Sequence, residues 1–260
     1  MTATALPSFD LTGRTALVTG ASSGFGAHWS KLLAAAGARV VITARRTERL
    51  EALKAEIVAA GGSAHAVALD VADEAAVVAA YDEAERHFGT VDTIIANAGT
   101  ASDNSSSDMP ADEFDAIIGT NLRGVFLTVR EGARRLIAAG SAETGRGRVV
   151  IVSSITAKKI YPGTAAYSSS KAAVAHMARV FAREWARKGI NVNTILPGYF
   201  ETEMTGDLFT TPAGEHLVKS FPRRRLGPKT DMDVPLLFFA SDLSQHVTGS
   251  ELVIDDGQSL

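Results

Sequence analysis

Short apolar runs alternate with longer stretches of helical periodicity along the whole of this chain. The runs, such as residues 149–152, are apolar on both faces, which is typical of parallel strands covered by helices on each side. The predicted strands are 15–19, 39–44, 64–69, 91–96, 147–153, 190–196 and 251–255. The predicted helices are 25–36, 47–60, 73–88, 111–139, 165–188 and 231–242. This alternation predicts an α/β fold, with one doubly wound, Rossmann-like parallel sheet of seven strands flanked by helices.

A few stretches depart from the alternation. Residues 1–10 are predicted to form a flexible tail, so that residues 11–260 make up a single domain. Residues 200–228, here called the lid segment, mix Gly and Pro with apolar side chains, which favours a mobile substrate lid without regular structure. Pro235 lies inside the last predicted helix and should place the start of that helix close to itself.

Composition narrows the class of protein. The 260 residues are 46% hydrophobic and 21% charged, as expected for a globular protein. The net charge of −3 predicts no basic surface that would bind nucleic acid or an anionic membrane. No apolar run approaches the roughly 20 residues that cross a bilayer. The chain has no cysteine, and its six histidines form no metal-ligand pattern, so no metal centre is predicted. Residues 1–8 lack signal-peptide features, and a cytoplasmic location is expected.

A glycine-rich turn follows the first predicted strand. The sequence Thr19-Gly-Ala-Ser-Ser-Gly-Phe-Gly26 lies between an apolar run and a helical pattern. Glycines let the backbone turn sharply and approach a pyrophosphate, while the following helix offers unpaired N–H donors at its N-terminus. A glycine-rich turn can also serve steric needs alone. Its position in the first strand–helix unit favours a dinucleotide phosphate site.

Tyr167, Lys171 and Ser154 suggest acid–base chemistry. A lysine four residues after a tyrosine lies on the same helix face, one turn away. Its charge favours the phenolate, so the sequence predicts a pKa for Tyr167 below the ordinary value of about 10. The Ser154 hydroxyl could hold a substrate oxygen beside the phenol. Ser153 should point to the opposite face of its strand. The three residues suit proton transfer to and from an alcohol or carbonyl oxygen.

The order and spacing of these motifs resemble the short-chain dehydrogenase/reductase family, in particular its 3-oxoacyl reductase branch. The similarity extends from residue 11 to residue 257, and Ala96 is a small departure where many members have asparagine. The motifs that carry the resemblance are T-G-x-x-x-G-x-G at 19–26, Asp70-Val71, Asn97-Ala98-Gly99, Asn121, Ser154, Tyr167, Lys171, and Pro197-Gly198 with Thr202.

The resemblance implies roles for four catalytic residues. Tyr167 is the expected general acid in carbonyl reduction and the general base in alcohol oxidation. Lys171 is expected to hold the nicotinamide ribose, and Ser154 to bind the substrate oxygen. Asn121 is expected to distort its helix and hold a water that links Lys171 to solvent. The family also implies a homotetramer built from helices 111–139 and 165–188 and the C-terminal strand.

The expected cofactor is NADP(H), with NAD as the alternative. An acidic residue at the end of the second strand would bind the ribose 2′-hydroxyl of NAD, but here Ala44 is followed by Arg45 and Arg46. Arg45 is predicted to bind a 2′-phosphate, although an arginine at a helix start can also be merely solvated. The residues expected to contact the cofactor are Thr19, Gly20, Ser22, Ser23, Gly24, Phe25, Gly26, Arg45, Asp70, Val71, Asn97, Ala98, Gly99, Tyr167, Lys171, Pro197, Gly198, Phe200 and Thr202.

The substrate is expected to be a small molecule, a hydrophobic secondary alcohol or ketone, because the candidate walls of its site are mostly apolar or aromatic. These residues are Ser154, Ile155, Tyr161, Tyr167, Tyr199, Met204 and Leu208. Two alternatives stay open. Arg223-Arg224-Arg225 could bind a phosphate of an acyl thioester, which would make the protein a 3-oxoacyl thioester reductase, although such a run is more often a solvated face. The second alternative is a non-catalytic sensor that binds a dinucleotide.

Overall fold

The computed structural model describes residues 8–102, 104–203 and 208–260. Seven parallel strands form one sheet in the order β3-β2-β1-β4-β5-β6-β7, which confirms the predicted fold class. The strands are β1 (Thr15–Thr19), β2 (Arg39–Ala44), β3 (Ser63–Ala68), β4 (Thr93–Ala96), β5 (Gly147–Val152), β6 (Ile190–Pro197) and β7 (Glu251–Ile254). The strand order reverses between β1 and β4, and ligands bind at such a crossover in open α/β sheets.

Helices cover both faces of the sheet. The helices are α1 (Gly24–Ala35), α2 (Thr47–Ala59), α3 (Glu74–Phe88), α4 (Ala111–Ile118), α5 (Val125–Ala138), α6 (Ser141–Thr144), α7 (Ala165–Trp185), α8 (Pro212–Ser220) and α9 (Asp233–Ala240). Alternate side chains of β1 face opposite cores: Val18 packs in the core with α1, α2 and α9, and Leu17 packs with α3, α5 and α7. Within the described ranges, no helix combines the length and apolarity needed to span a membrane.

The predicted helix at 111–139 is interrupted at Asn121, where a distortion is expected, and its two halves form separate helices. A π-helical turn, Gly119–Gly124, separates α4 from α5. The buried Asn121 lies in this turn, and its side chain bonds to the backbone of Thr100 in both directions, at 2.8 Å each. The inserted turn therefore lets an amide side chain reach the loop after β4, as π-bulges commonly do at functional sites.

The lid segment contains regular structure, which corrects the prediction that it has none. A 3-10 turn, Leu208–Thr210, leads into α8. Thr211 caps α8 by accepting a hydrogen bond from the Gly214 N–H at 3.0 Å, and Pro212 occupies the start of the helix. Thr-Pro before a helical run is a typical start signal, because proline fixes the helical φ and needs no N–H partner there. The last large helix, α9, begins two residues before Pro235, as predicted.

Candidate active site

A cleft of about 450 Å³ lies at the carboxyl ends of the strands, beside the crossover between β1 and β4. It brings together segments that follow six of the strands, since parallel strands end at the same edge of the sheet. The predicted cofactor residues on its wall are Gly20, Ser22, Ser23, Gly24, Phe25, Arg45, Asp70, Val71, Asn97, Ala98, Gly99, Tyr167, Lys171, Pro197, Gly198, Phe200 and Thr202. All these candidates, far apart in sequence, thus share one surface.

Two predicted cofactor residues, Thr19 and Gly26, lie behind this wall instead. The Thr19 hydroxyl accepts hydrogen bonds from the backbone N–H groups of Asn97 and Ala98, at 3.1 and 3.0 Å. A Cβ at Gly26 would lie 2.3 Å from the Gly20 carbonyl oxygen, so only glycine allows this approach of α1 to the turn. Both residues shape the site from the inside.

The turn after β1, residues 20–24, has the features of a phosphate cradle. Gly20 and Gly24 have φ values of +69° and +54°, in the left-handed region that favours glycine. Helix α1 begins at Gly24, and the N-cap residue Ser23 makes no capping hydrogen bond, so its side chain leaves the first N–H groups to a ligand. A Cβ at Gly24 would lie 3.9 Å from the Cβ of Thr202, which covers the turn. These residues fit a dinucleotide pyrophosphate.

Arg46 is a site residue that the sequence reasoning missed. Its guanidinium donates to the Ser22 hydroxyl at 2.9 and 3.1 Å and to the Ser23 hydroxyl at 2.7 Å. Arg45, the residue predicted to bind the phosphate, is exposed on the cleft wall and has no ion pair or hydrogen bond with any residue the structure describes. The two consecutive arginines after β2 are a signal in the sequence, but the sequence alone does not show which of them contacts the turn after β1.

Ser154, Tyr167 and Lys171 meet where the cleft passes over β5. The Ser154 hydroxyl hydrogen-bonds to the phenol of Tyr167, and it accepts from the Thr156 N–H at 3.1 Å. The ammonium of Lys171 lies 5.6 Å from the centre of the Tyr167 ring. Ser153 also borders the cleft, but its hydroxyl donates to the backbone carbonyl of Lys171 at 2.7 Å. A phenol and a serine hydroxyl thus converge on one point of the cleft.

The pKa of Tyr167 is raised, not lowered as the sequence predicts. Burial is the larger cause, because it disfavours the phenolate, and the hydrogen bond with Ser154 opposes it only in part. Burial also lowers the pKa of Lys171 to about 8. Within the described chain, the single hydrogen-bond partner of its ammonium is the Val152 carbonyl, at 2.9 Å. The ammonium has three N–H donors, and those that the Val152 carbonyl does not use could bind the two hydroxyls of a ribose.

Asn121 is positioned next to this group by the π-helical turn. Besides its bonds to Thr100, its amide nitrogen donates to the hydroxyl of Ser170 at 3.1 Å. A Cβ at Gly99 would lie 3.4 Å from Nζ of Lys171 and 3.5 Å from Oδ1 of Asn121, so the N-A-G turn closes over both side chains. The amide thus ties the loop after β4 to α7. Its expected role in holding a water stays a prediction.

The substrate end of the cleft is bounded by Ile155, which is buried, and by Tyr199. Tyr161, predicted as a wall residue, does not line the cleft: its ring packs edge-on against that of Tyr199, 5.6 Å between centres. Met204 lies outside the described residues, and Leu208 is described only as the start of a 3-10 turn.

Gln258 is a second residue that the sequence reasoning missed. Its side-chain oxygen accepts from the Tyr199 N–H at 2.6 Å, and its side-chain nitrogen donates to the Tyr199 carbonyl at 3.4 Å. The C-terminal turn thereby holds the segment that ends the cleft. No local signal marks this contact, because the two residues are separated by 59 positions.

The arginine run at 223–225 contacts the same C-terminal turn. Nε of Arg223 lies 3.0 Å and Nε of Arg225 lies 2.8 Å from the carboxylate of Asp256. The neighbouring Asp255 accepts hydrogen bonds from the N–H groups of Gly257 and Ser259, as carboxylates commonly do in turns. Two of the three arginines therefore already have a carboxylate partner.

Known proteins resemble the chain over nearly its full length. A family model described as short chain dehydrogenase matches residues 14–213. D-threitol dehydrogenase from Mycolicibacterium smegmatis is 34% identical over 252 residues, which cover 97% of this chain and 95% of that protein. The 3-oxoacyl-[acyl-carrier-protein] reductase FabG from Staphylococcus aureus is 34% identical over 245 residues, 94% of this chain and 97% of the relative.

A solved structure extends the match to three dimensions. The gluconate 5-dehydrogenase from Burkholderia cenocepacia J2315, in complex with NADP and tartrate, has a TM-score of 0.90 at 34% identity. The alignment covers 96% of this chain and 97% of that one. Motif order, fold and full-length similarity agree. The chain belongs to the short-chain dehydrogenase/reductase family, whose members are oxidoreductases acting on alcohol and ketone groups.

Proposed function

We propose that this enzyme interconverts a hydrophobic secondary alcohol and its ketone with NADP(H), using Tyr167 as the acid and base. The observation that carries this proposal is the convergence of Ser154, Tyr167 and Lys171 in a cleft that also contains a phosphate cradle. When bound, the nicotinamide supplies or accepts the hydride. Ser154 holds the substrate oxygen, where negative charge develops during reduction, and Tyr167 gives that oxygen its proton.

The raised pKa of Tyr167 favours this role in the direction of reduction. A phenol that keeps its proton at neutral pH is ready to act as an acid toward a carbonyl oxygen. In alcohol oxidation the same group must first lose that proton, so oxidation should require higher pH. Lys171 supports both directions, because its ammonium lies beside the ring and has donors for the ribose hydroxyls.

Substrate class is tested by a panel of four compounds. We expect an aryl ketone to be turned over with a kcat/KM at least about tenfold above those of D-threitol and gluconate. Burial is worth about 25 cal/mol per Å², so roughly 60 Å² of extra apolar contact would give this ratio. Initial rates with NADPH for ketones and NADP⁺ for alcohols provide the measurement. Equal efficiency on the polyol and the aryl ketone would contradict the hydrophobic assignment.

The fourth compound, a 3-oxoacyl thioester, tests the alternative of a thioester reductase. The similarity to FabG favours that alternative. The pairing of Arg223 and Arg225 with Asp256 weighs against it, because it partly neutralises the charge that would bind a thioester phosphate. A non-catalytic sensor would turn over none of the four, and the complete set of acid–base residues argues against it.

Cofactor preference is tested at Arg45. We expect Arg45→Ala to raise the KM for NADPH by about ten- to a hundredfold while changing that for NADH little. Charge-assisted hydrogen bonds to the 2′-phosphate are worth roughly 1.5–3 kcal/mol, which corresponds to that range. The measurement is KM for each cofactor in wild type and variant, with Arg39→Ala, at the opposite end of β2, as the control. A wild type that already favours NADH would overturn the proposal.

Assembly into a homotetramer is the expected quaternary state. Helices α5 and α7 expose Phe126, Ile137 and Val180, and an aromatic stack of Phe181 on Trp185 adjoins them at 4.4 Å between ring centres. Apolar side chains beyond the stripe that faces the core need a second surface to cover them. Light scattering at micromolar concentration should therefore give a mass about four times that of the chain. A monomer would contradict the proposal.

A further inference from the structure

Three arginines stand at the start of α2, and a carboxylate from the lid segment holds two of them. Arg49 donates to both oxygens of Glu203, at 2.6 and 2.9 Å, and Arg46 lies 3.4 Å from the same carboxylate. Arg46 also binds the hydroxyls of Ser22 and Ser23 in the phosphate cradle. Glu203 is thus connected through one guanidinium to the loop that would hold the cofactor phosphates.

The position of Glu203 follows from the chain on either side of the cleft. It is 157 residues from Arg46 in sequence, and it directly follows Thr202, which lies over the phosphate turn. Arg45 and Arg46 line the cleft directly after β2, and the end of this strand is expected to meet the adenosine ribose. The segment after β6 therefore places a negative charge at the adenosine end of the site.

A carboxylate and a phosphate monoester compete for the same partner. Both accept two parallel hydrogen bonds from a guanidinium, and two anions on one arginine repel each other. A 2′-phosphate bound to Arg46 must therefore displace Glu203 or tolerate its charge. A ribose 2′-hydroxyl, in contrast, can donate a hydrogen bond to a carboxylate. Glu203 should therefore weaken binding of the cofactor that has a 2′-phosphate and leave binding of the cofactor that lacks it unchanged.

We propose that Glu203 is a specificity-determining residue that limits the preference for a 2′-phosphate by competing for Arg46 and Arg49. This inference rests on the proposed NADP(H) preference, and it extends the 2′-phosphate site from Arg45 to the neighbouring Arg46. All three side chains are about half exposed, so solvent screens the charges and the effect is modest. An exposed pair of this kind corresponds to a change of up to about fivefold in affinity.

Two nucleotides that differ only in the 2′-phosphate, adenosine 2′,5′-bisphosphate and AMP, isolate this interaction. Glu203→Gln removes the charge and keeps the shape of the side chain. We expect calorimetry to show the bisphosphate binding about three- to fivefold more tightly to this variant than to wild type, with AMP changed less than twofold. Glu201→Gln is the matched control, since Glu201 is exposed on the same segment. Unchanged or weaker bisphosphate binding in Glu203→Gln would overturn the inference.

A double-mutant cycle with Arg46→Gln separates competition for one guanidinium from a general change of charge. Arg46 is the guanidinium that Glu203 and the 2′-phosphate would share, so much of the gain from Glu203→Gln should be lost in the Arg46→Gln background. An equal gain in both backgrounds would overturn the inference. If wild type binds both nucleotides alike but Glu203→Gln prefers the bisphosphate, the inference stands and the proposed NADP(H) preference fails. If neither protein discriminates, both fail.

Discussion

Tyr167→Phe should lose turnover by at least about a thousandfold while the fold stays intact. The substitution removes the proton that the substrate oxygen receives and retains the aromatic ring that packs beside Lys171. An essential general acid contributes roughly two to four orders of magnitude on its own, and losing the hydrogen bond with Ser154 adds to the effect. The measurement is kcat for ketone reduction at saturating cofactor, together with the thermal midpoint of unfolding.

Tyr199→Phe provides the matched control. Tyr199 is a second half-buried phenol on the cleft wall, and burial raises its pKa to about 12. Its hydroxyl is not part of the group formed by Ser154 and Lys171, so this variant should keep turnover within about tenfold of wild type. If Tyr167→Phe keeps near-normal turnover on a good substrate, or if both variants lose activity alike, Tyr167 is not the acid.

The fold could be predicted from the sequence because its strands are apolar on both faces and its helices are not. Strands β1 and β2 have the predicted bounds, and β5 differs by a single residue. The distortion of the helix at 111–139 was expected at Asn121 from the family resemblance, but the periodicity does not show that its side chain bonds to Thr100 and divides the helix into two. Helix α8 had a local signal, Thr211 followed by Pro212, that the prediction overlooked in a glycine- and proline-rich stretch.

The candidate site could be predicted where motifs follow strands, because parallel strands bring their carboxyl ends together. The missed residues depend on contacts between distant parts of the chain. Gln258 reaches Tyr199 across 59 positions, and Glu203 reaches Arg46 across 157. The direction of the pKa shift of Tyr167 was also predicted wrongly. The spacing of the tyrosine and the lysine shows that they are close together, but burial, which raises the pKa, depends on the rest of the fold.

The buried ammonium of Lys171 makes the folded protein less stable than an uncharged side chain at the same position would. Burial lowers the pKa of its ammonium from 10.5 to about 8, so at neutral pH the folded protein holds a charge that its surroundings disfavour. Each pKa unit corresponds to about 1.4 kcal/mol, so the penalty is on the order of 3 kcal/mol. At Lys171, the unfolded chain binds more protons than the folded chain between about pH 8 and 10.5, so the destabilisation caused by this charge should fall as the pH rises through that window.

Lys171→Met should consequently unfold at a higher temperature than wild type at pH 7 and yet be nearly inactive. Methionine fills a similar volume without charge, but it loses the bond to the Val152 carbonyl, which leaves a net gain of about 1–2 kcal/mol. Turnover should fall by at least about a hundredfold, because the charge beside Tyr167 and the donors for the ribose are both removed.

The pH dependence separates this explanation from a general effect of removing a lysine. The stability advantage of Lys171→Met should be largest below about pH 8 and shrink as the pH rises toward 10.5, where wild type no longer holds a buried charge. Thermal unfolding of both proteins between pH 7 and 10 measures it, with the exposed Lys188→Met as the control that shows no such trend. A variant that is less stable than wild type at pH 7, or an advantage that is independent of pH, would mean that the ammonium is accommodated without strain and that Lys171 is kept for stability as well as for chemistry.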